Sequence, residues 1–321
     1  MRNTILRTAV ITALLGATQA QAGGLWLNQF GDFASGRSSA GAAAGVDEAA
    51  AIIHNPAGGT RIEGSQIFGA AGVIVPDVEF DIDYTNPVSG NGDGGSAALN
   101  APVAAFAYTN DFGTDDWSFG VYTAGLSGAG LEYDSGWVGR FQNTEVELLL
   151  MALAPTVGFQ VTDNFSIGAS LQYYYATLDL ELELPSLPTR PPGTASLDGS
   201  DDDFGFVLGA IYEFSESTRV GIRYQSELEV DFDGKLKLKN NVADARVTSN
   251  TEMTLAALAR VGLHHDLDDK ISLAFTLGWD DWSAMDDVFI SLPEVEAGLA
   301  RNWDDTYHYA AGIEYLSLIH I

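Results

Sequence analysis

The chain has 321 residues, no cysteine, and 44 acidic against 15 basic side chains, a formal net charge of −29 at pH 7. That balance excludes nucleic-acid binding, since phosphates demand a basic surface, and the lack of Cys excludes disulfides and a lipid-modified cysteine anchor. Beyond the first residues no stretch approaches the roughly 20 apolar residues of a membrane-spanning helix, so a membrane location requires strands.

Arg2 and Arg7 precede the apolar run Ala9–Ala17, and Ala20-Gln21-Ala22 reads as a cleavage site, so residues 1–22 are an export signal and the mature chain begins at Gly23. Residues 23–64 show no strand alternation. Gly23–Phe33 (GGLWLNQFGDF) is apolar, and DEAAAII (47–53) sets an acidic residue before good helix formers, predicting a short helix. Asn55-Pro56 ends it, because a residue before Pro avoids the helical region. The Asn55-Pro56-Ala57 turn reads as a hinge between this helix and the first strand, and the segment as a hatch packed inside a barrel.

From residue 65 onward, period-2 alternation recurs. Val220, Ile222, Tyr224, Ser226, Leu228, Val230 and Phe232 share one face, with Arg219, Arg223, Glu227 and Glu229 on the other. Ile271, Leu273, Phe275, Leu277 and Trp279 repeat the pattern. Strands are predicted near 66–76, 101–109, 117–124, 146–161, 165–183, 203–214, 218–233, 252–265, 270–282 and 305–316, about ten in all. The links 110–116, 162–164, 215–217 and 266–269 are short, and those between them are long. Short periplasmic turns, long external loops, and aromatics at strand ends (Trp117, Trp279, Trp282, Tyr307, Tyr315) describe an antiparallel transmembrane β-barrel. In 165–183 the apolar residues shift from odd to even positions, and a β-bulge near Ala176-Thr177 would keep them on one lipid face.

The chemistry-bearing motifs are weak. Gly90–Gly95 fits G-x-G-x-x-G but leads into no helix, and Asp81, Asp83 and Asp93 lack the ligand spacing of an EF-hand. Asp280, Asp281, Asp286 and Asp287 around Trp282 read as an exterior rim. His264-His265 sits beside Asp266 at the periplasmic end of a strand, His54, His308 and His320 show no metal-ligand spacing, and no Ser has a nucleophile-elbow setting. The expectation is a non-enzyme with no catalytic residue, cofactor or metal.

Five stretches together resemble the FadL/OmpP1/TodX family of outer-membrane transporters: 27–66 (LNQFGDFASGRSSAGAAAGVDEAAAIIHNPAGGTRIEGSQ), 131–141 (LEYDSGWVGRF), 212–234, 279–287 (WDDWSAMDD) and 302–315 (NWDDTYHYAAGIEY). The resemblance implies a fourteen-stranded, all-β barrel in the Gram-negative outer membrane, plugged by an N-terminal hatch and acting as a monomer. Its partners would be long-chain fatty acids or other hydrophobic molecules, the surrounding outer-membrane lipid, and the barrel assembly machinery. Ligand would be caught by extracellular loops, held in an apolar lumen pocket, and released sideways at a kink in the third strand. Candidate ligand contacts are Leu25, Trp26, Leu27, Phe30 and Phe119, with Arg223 or Arg260 meeting a carboxylate. Asn55, Pro56 and Ala57, with Gly120, Gly125 and Gly128 of the third strand, are the candidate gate. His54, Gly59 and Ala256 depart from the family pattern, where an aromatic, a Leu and a Pro are usual. About ten strands instead of fourteen, and an ending in LSLIHI without a terminal aromatic strand, give the expectation of a truncated sequence whose residues 316–321 are foreign. The alternatives are a general diffusion porin and a structural or adhesin barrel. Domain bounds follow as signal 1–22, hatch 23–64 and barrel 65–321.

Overall fold

The computed structural model describes residues 25–82, 92–184, 186, 192–239, 245–285, 287–292, 295–300 and 303–316. The export signal, Asp83, Gly90, Asn91, Asp286, the Pro-rich stretch 187–191 and residues 317–321 lie outside this set.

Among the described residues fourteen strand segments form one antiparallel sheet. They are β1 (Ser65–Ile74), β2 (Ala101–Asn110), β3 (Trp117–Glu132), β4 (Glu145–Thr162), β5 (Phe165–Leu184), β6 (Gly193–Ser215) and β7 (Thr218–Gln225). Then follow β8 (Leu228–Lys239), β9 (Ala245–Leu255), β10 (Leu258–Asp266), β11 (Ile271–Asp280), β12 (Asp287–Leu292), β13 (Val295–Ala300) and β14 (Thr306–Tyr315). The sheet path runs β1-β2-β3-β4-β5-β6-β7-β10-β11-β14, ten strands wide, as alternation predicts. β8, β9, β12 and β13 extend that wall beyond one end. Among the described residues β1 pairs only with β2 and β14 only with β11.

The short links are as expected, but much of the predicted long-loop chain is strand. β3 continues through Glu132, and β8 pairs with β9 from Leu228↔Leu255 to Leu238↔Ala245. Two facing assignments are corrected. No bulge occurs at Ala176-Thr177: β5 pairs without a register break from Tyr173 to Glu181 against β4 and along its whole length against β6. Gln172, Tyr174, Ala176 and Leu178 all face inward, so the leucines of the upper strand belong to the interior. Conversely, the 218–233 strand is broken at Ser226-Glu227, and the break exchanges its faces. Ile222 and Tyr224 point out, while Leu228, Val230 and Phe232 are buried. One physical cause explains both. At membrane height lipid wets the outer face, so apolar side chains point out; above it water wets that face, so acids point out and apolar groups turn in.

The hatch lies inside the sheet. It holds one turn of α-helix, α1 (Ala51–His54), flanked by 3-10 turns at Phe33–Arg37, Ala42–Ala44 and Pro56–Arg61. The helix is shorter than predicted, and Asp47 does not cap it; Asp47 sits instead beside Arg61 at 3.3 Å. Small residues on the wall make room for the hatch. Gly158, Gly168 and Gly209 stand in one register row across β4, β5 and β6, and Gly221 pairs with Gly262 across β7 and β10. A Cβ on Gly168 would overlap the backbone of Pro56 and Ala57, one on Gly221 the carbonyl of Ala43, and one on Gly262 would come within 2.8 Å of Ala44 N. The wall therefore fits hatch backbone directly, with no side chain between.

Candidate functional site

Asn55 anchors the hatch. It is fully buried; its Nδ2 donates to the carbonyls of Ala43 at 2.6 Å, Ala210 at 3.2 Å and Ile222 at 3.2 Å, and its Oδ1 accepts from Ala57 N at 3.0 Å. One side chain thus binds the hatch to itself and to both β6 and β7. Pro56 opens the following 3-10 turn, where its missing N–H costs nothing. Where residue order reads a hinge at Asn55-Pro56-Ala57, the structure ties Asn55 to β6 and β7 and buries Pro56 and Ala57. Toward the short-turn ends of the strands, Arg37 pairs with Glu314 and Arg61 with Glu213, while Arg219 donates to Ala44 O at 3.0 Å and Gly45 O at 3.2 Å.

A second buried pair was missed in the sequence. His54 Nε2 lies 2.6 Å from Asp32 Oδ2, both side chains being almost fully buried. Burial opposes ionisation of Asp32, but the His54 charge and hydrogen bonds from His54 and Ser35 outweigh it and hold the carboxyl at about 2. Neighbouring Glu48, which accepts from Phe33 N at 3.0 Å, is raised by burial. A hydrophobic 3.6-period search cannot reveal this pair, because its partners are 22 residues apart.

Above the hatch the interior is apolar. Leu148, Leu150, Leu178, Leu197, Leu228, Phe232 and Leu255 belong to one buried cluster that also takes in Trp26, Trp282 and Met285. Trp26 donates from Nε1 to Ala256 O at 2.9 Å and lies 6.4 Å from the Trp282 ring. Trp282 is buried against Trp303, which corrects its reading as an interfacial aromatic. Within this apolar lining sits a polar group: Gln172 Nε2 donates to Tyr122 Oη at 2.7 Å, Tyr174 Oη donates to Gln172 Oε1, and Arg223 Nη2 donates to Gln225 Oε1 at 2.6 Å.

Arg223 and Arg260 stand directly opposite each other across β7 and β10, both buried. Arg260 meets Asp280 at 2.7 Å and donates to Asn28 Oδ1 at 3.2 Å. Asp280 is fully buried, not part of an exterior rim; it ends the inward-facing row Ser272, Ala274, Thr276, Gly278. Among the described residues no carboxylate pairs with Arg223, and its Nε and the Nε2 of Gln225 lack hydrogen-bond partners.

The third strand breaks the wall. β2 and β3 pair only from Ala105↔Ala124 to Asn110↔Phe119, so Ala101–Ala104 have no β3 partner. β3 shifts register against β4 between Gly125 and Ser127. The hatch fills part of this gap: Leu27 N donates to Leu126 O at 2.8 Å and Ser127 Oγ to Leu25 O at 2.8 Å. Beside that patch is a cavity of about 70 Å³ lined by Gln29, Phe30 and Gly31 of the hatch, Ala70–Gly72 of β1, Val103–Ala105 of β2, and Gly125.

The structure thus places Leu25, Trp26, Leu27 and Phe30 together at the gap, with Gly125 and Gly128 on its β3 side. Gly120 is not part of it; it pairs regularly with Thr109 and Thr156, and a Cβ there would come within 2.7 Å of Ile52. Phe119 is a second correction. It points outward, stacked on Trp117 at 6.2 Å, because it shares the parity of Trp117 and not that of inward Ser118. Phe119→Ala should leave ligand affinity within about twofold, measured by equilibrium binding, since the side chain touches lipid and not the interior.

A family model described as outer membrane protein transport protein (OMPP1/FadL/TodX) matches residues 13–317. The chain belongs to this family. It is 24% identical over 370 residues to outer membrane protein P1 of Haemophilus influenzae, covering 97% of this chain and 80% of that protein. The long-chain fatty acid transport protein of Escherichia coli K12 is 22% identical over 350 residues, covering 96% and 78%. A Pseudomonas aeruginosa FadL homologue of known structure superposes with a TM-score of 0.77 at 18% identity, covering 92% of this chain and 78% of that one. The fold is the FadL-like barrel, and the protein is a non-enzymatic outer-membrane transporter of hydrophobic compounds. Two of its three departures from the family pattern now have local explanations. His54 takes Asp32 as partner, and a Cβ at Gly59 would overlap Ser118 Oγ.

Proposed function

We propose that this FadL-family chain takes up hydrophobic molecules bearing one carboxylate, long-chain fatty acids being the type, and releases them sideways between β2 and β3. Extracellular loops deliver the ligand to the apolar interior, where burial of its tail is worth about 0.8 kcal/mol per CH₂. Arg223 takes its headgroup. Supporting this, Arg223 and Arg260 face each other with Asp280 the one carboxylate paired against them among the described residues, leaving one buried positive charge unmatched. A buried unpaired guanidinium is costly, and a bound carboxylate would remove that cost.

The observation that carries the route is the β2–β3 gap. Unpaired backbone on a lipid-facing edge is tolerated only where protein or a cavity covers it. Here hatch residues 25–27 and the Phe30-lined cavity do so. At about 70 Å³ the cavity holds a few waters and not a hydrocarbon chain, so this is a closed state from which Phe30 must move. A porin would need an open lumen, whereas this one is filled by the hatch.

Gly125→Val tests the route. A Cβ at Gly125 meets nothing within 4 Å, so the barrel should fold, yet the added methyls fill the cavity. Uptake of radiolabelled oleate by cells should fall at least about tenfold while outer-membrane levels of folded protein stay constant; unchanged uptake defeats the side exit. Deleting residues 23–64 should separately raise polar-solute conductance in planar bilayers, and no rise would favour a diffusion porin.

A further inference from the structure

We propose that Asp32 and His54 form a latch that positions Phe30 across the β2–β3 opening; this rests on the side-exit reading above. Phe30 lines the opening, and its ring lies 5.4 Å from the His54 ring. Two residues later Asp32 is tied to His54 at 2.6 Å, and His54 immediately precedes Asn55, the anchor in β6 and β7. A continuous chain of contacts therefore runs from the wall on one side of the lumen, through Asn55, His54 and Asp32, to the residue that plugs the wall on the other side.

The geometry beside Phe30 reinforces this. Gly31 has φ +78, a left-handed conformation suited to glycine, and a Cβ there would come within 2.8 Å of the Ala70 Cβ. Gly31 N donates to Ser35 Oγ at 3.0 Å, and Ser35 in turn donates to Asp32 through N at 3.2 Å and Oγ at 2.8 Å. Asp32 thus organises both the turn after Phe30 and the tie to His54. The segment before Phe30 hangs on Asn28 and residues 25–27, held by Arg260 of β10 and by Leu126 and Ser127 of β3. Cutting the Asp32–His54 tie removes the buried side-chain link between the turn after Phe30 and α1, leaving the more exposed Phe33 N–Glu48 bond at 3.0 Å on that side.

The other ionisable group coupled to the pair is Glu48, from the turn before α1, on which Arg37 of the first 3-10 turn acts in turn. The sign of the pH effect follows from Asp32. Its folded pKa is lowered to about 2 from an ordinary 3.8, so its stabilisation is complete above about pH 4 and is lost as pH falls through about 2. On the Asp32 side the latch releases as pH falls into this acid range.

The experiment uses the whole chain refolded in detergent. The chain has no native Cys, so a nitroxide on Gln29→Cys reports the segment uniquely. At pH 7 the parent should give an immobilised spectrum. Asp32→Asn, which keeps the shape but not the charge, and His54→Gln should each raise the mobile-to-immobile ratio about 10- to 100-fold. The parent ratio should rise between pH 4 and pH 2, while that of Asp32→Asn stays level. Heat-modifiable gel migration identifies folded samples. An unchanged spectrum in folded Asp32→Asn overturns the latch, as does mobilisation by Glu48→Gln with none by Asp32→Asn. Label mobility is read without uptake, so a failed Gly125→Val test defeats the exit route and a failed mobility test defeats the latch.

Discussion

Asn55→Ala should release the hatch. The substitution withdraws the donor from three buried carbonyls and the acceptor from Ala57 N. At about 0.5–1.5 kcal/mol net per buried hydrogen bond, the loss is about 2–4 kcal/mol, since the two strand carbonyls keep their ladder partners. A change near 3 kcal/mol multiplies the displaced population by about 100. The Arg37–Glu314 and Arg61–Glu213 pairs remain and keep the hatch tethered near the rim. The expected result is frequent current steps in planar bilayers and faster protease cleavage within residues 25–64, with the barrel itself still heat-modifiable. Asn55→Asp should be worse, because it sets an anion against three carbonyl oxygens. Gly209→Ala should mimic Asn55→Ala from the wall side, as its Cβ would occupy the place of Asn55 Oδ1. Silent channels and parental cleavage rates in Asn55→Ala would show that the wall glycines and rim ion pairs suffice to seat the hatch.

Arg223→Met should separate binding from stability by moving them in opposite directions. If Arg223 holds a ligand carboxylate, its loss removes a charge-assisted bond of about 1.5–3 kcal/mol, weakening fatty-acid binding about 10- to 100-fold. Affinity for an uncharged hydrocarbon of equal length should stay within about twofold. The empty barrel, meanwhile, should unfold at equal or higher denaturant, because a buried guanidinium with an unpartnered Nε has been replaced by an apolar side chain. Arg260→Met behaves differently: it strands fully buried Asp280 and should destabilise the barrel by about 3–5 kcal/mol. Isothermal titration and denaturant unfolding of the two variants decide between a headgroup site and a structural cation. Equal losses of affinity for both ligands in Arg223→Met would exclude the headgroup role.

Much of this protein is legible from residue order. Period-2 alternation placed ten wall strands, and short links fell where β2–β3, β4–β5, β6–β7 and β10–β11 turn. The gap-lining residues Leu25, Trp26, Leu27 and Phe30 were legible as apolar residues in a segment without strand pattern. The facing of the upper strands was not. Leu178 and Leu228 obey the same period as Ile222, yet point the other way, because the solvent outside the wall changes from lipid to water along one strand. Alternation reports that two faces differ; it does not say which solvent each face meets.

Composition and local pattern determined the architecture: an exported, acidic, cysteine-free antiparallel barrel with a small-residue segment to fill it. Backbone pairing and solvent contrast act over neighbouring residues, so they leave a periodic record in the chain. Only the tertiary structure decided which glycines seat the hatch, that Asn55 clamps where a hinge was read, that Asp280 is buried beside Arg260, and that Asp32 reaches His54 beneath the β2–β3 opening. Those contacts join residues tens to hundreds of positions apart, and they arise only once the paired strands pack against the segment they hold.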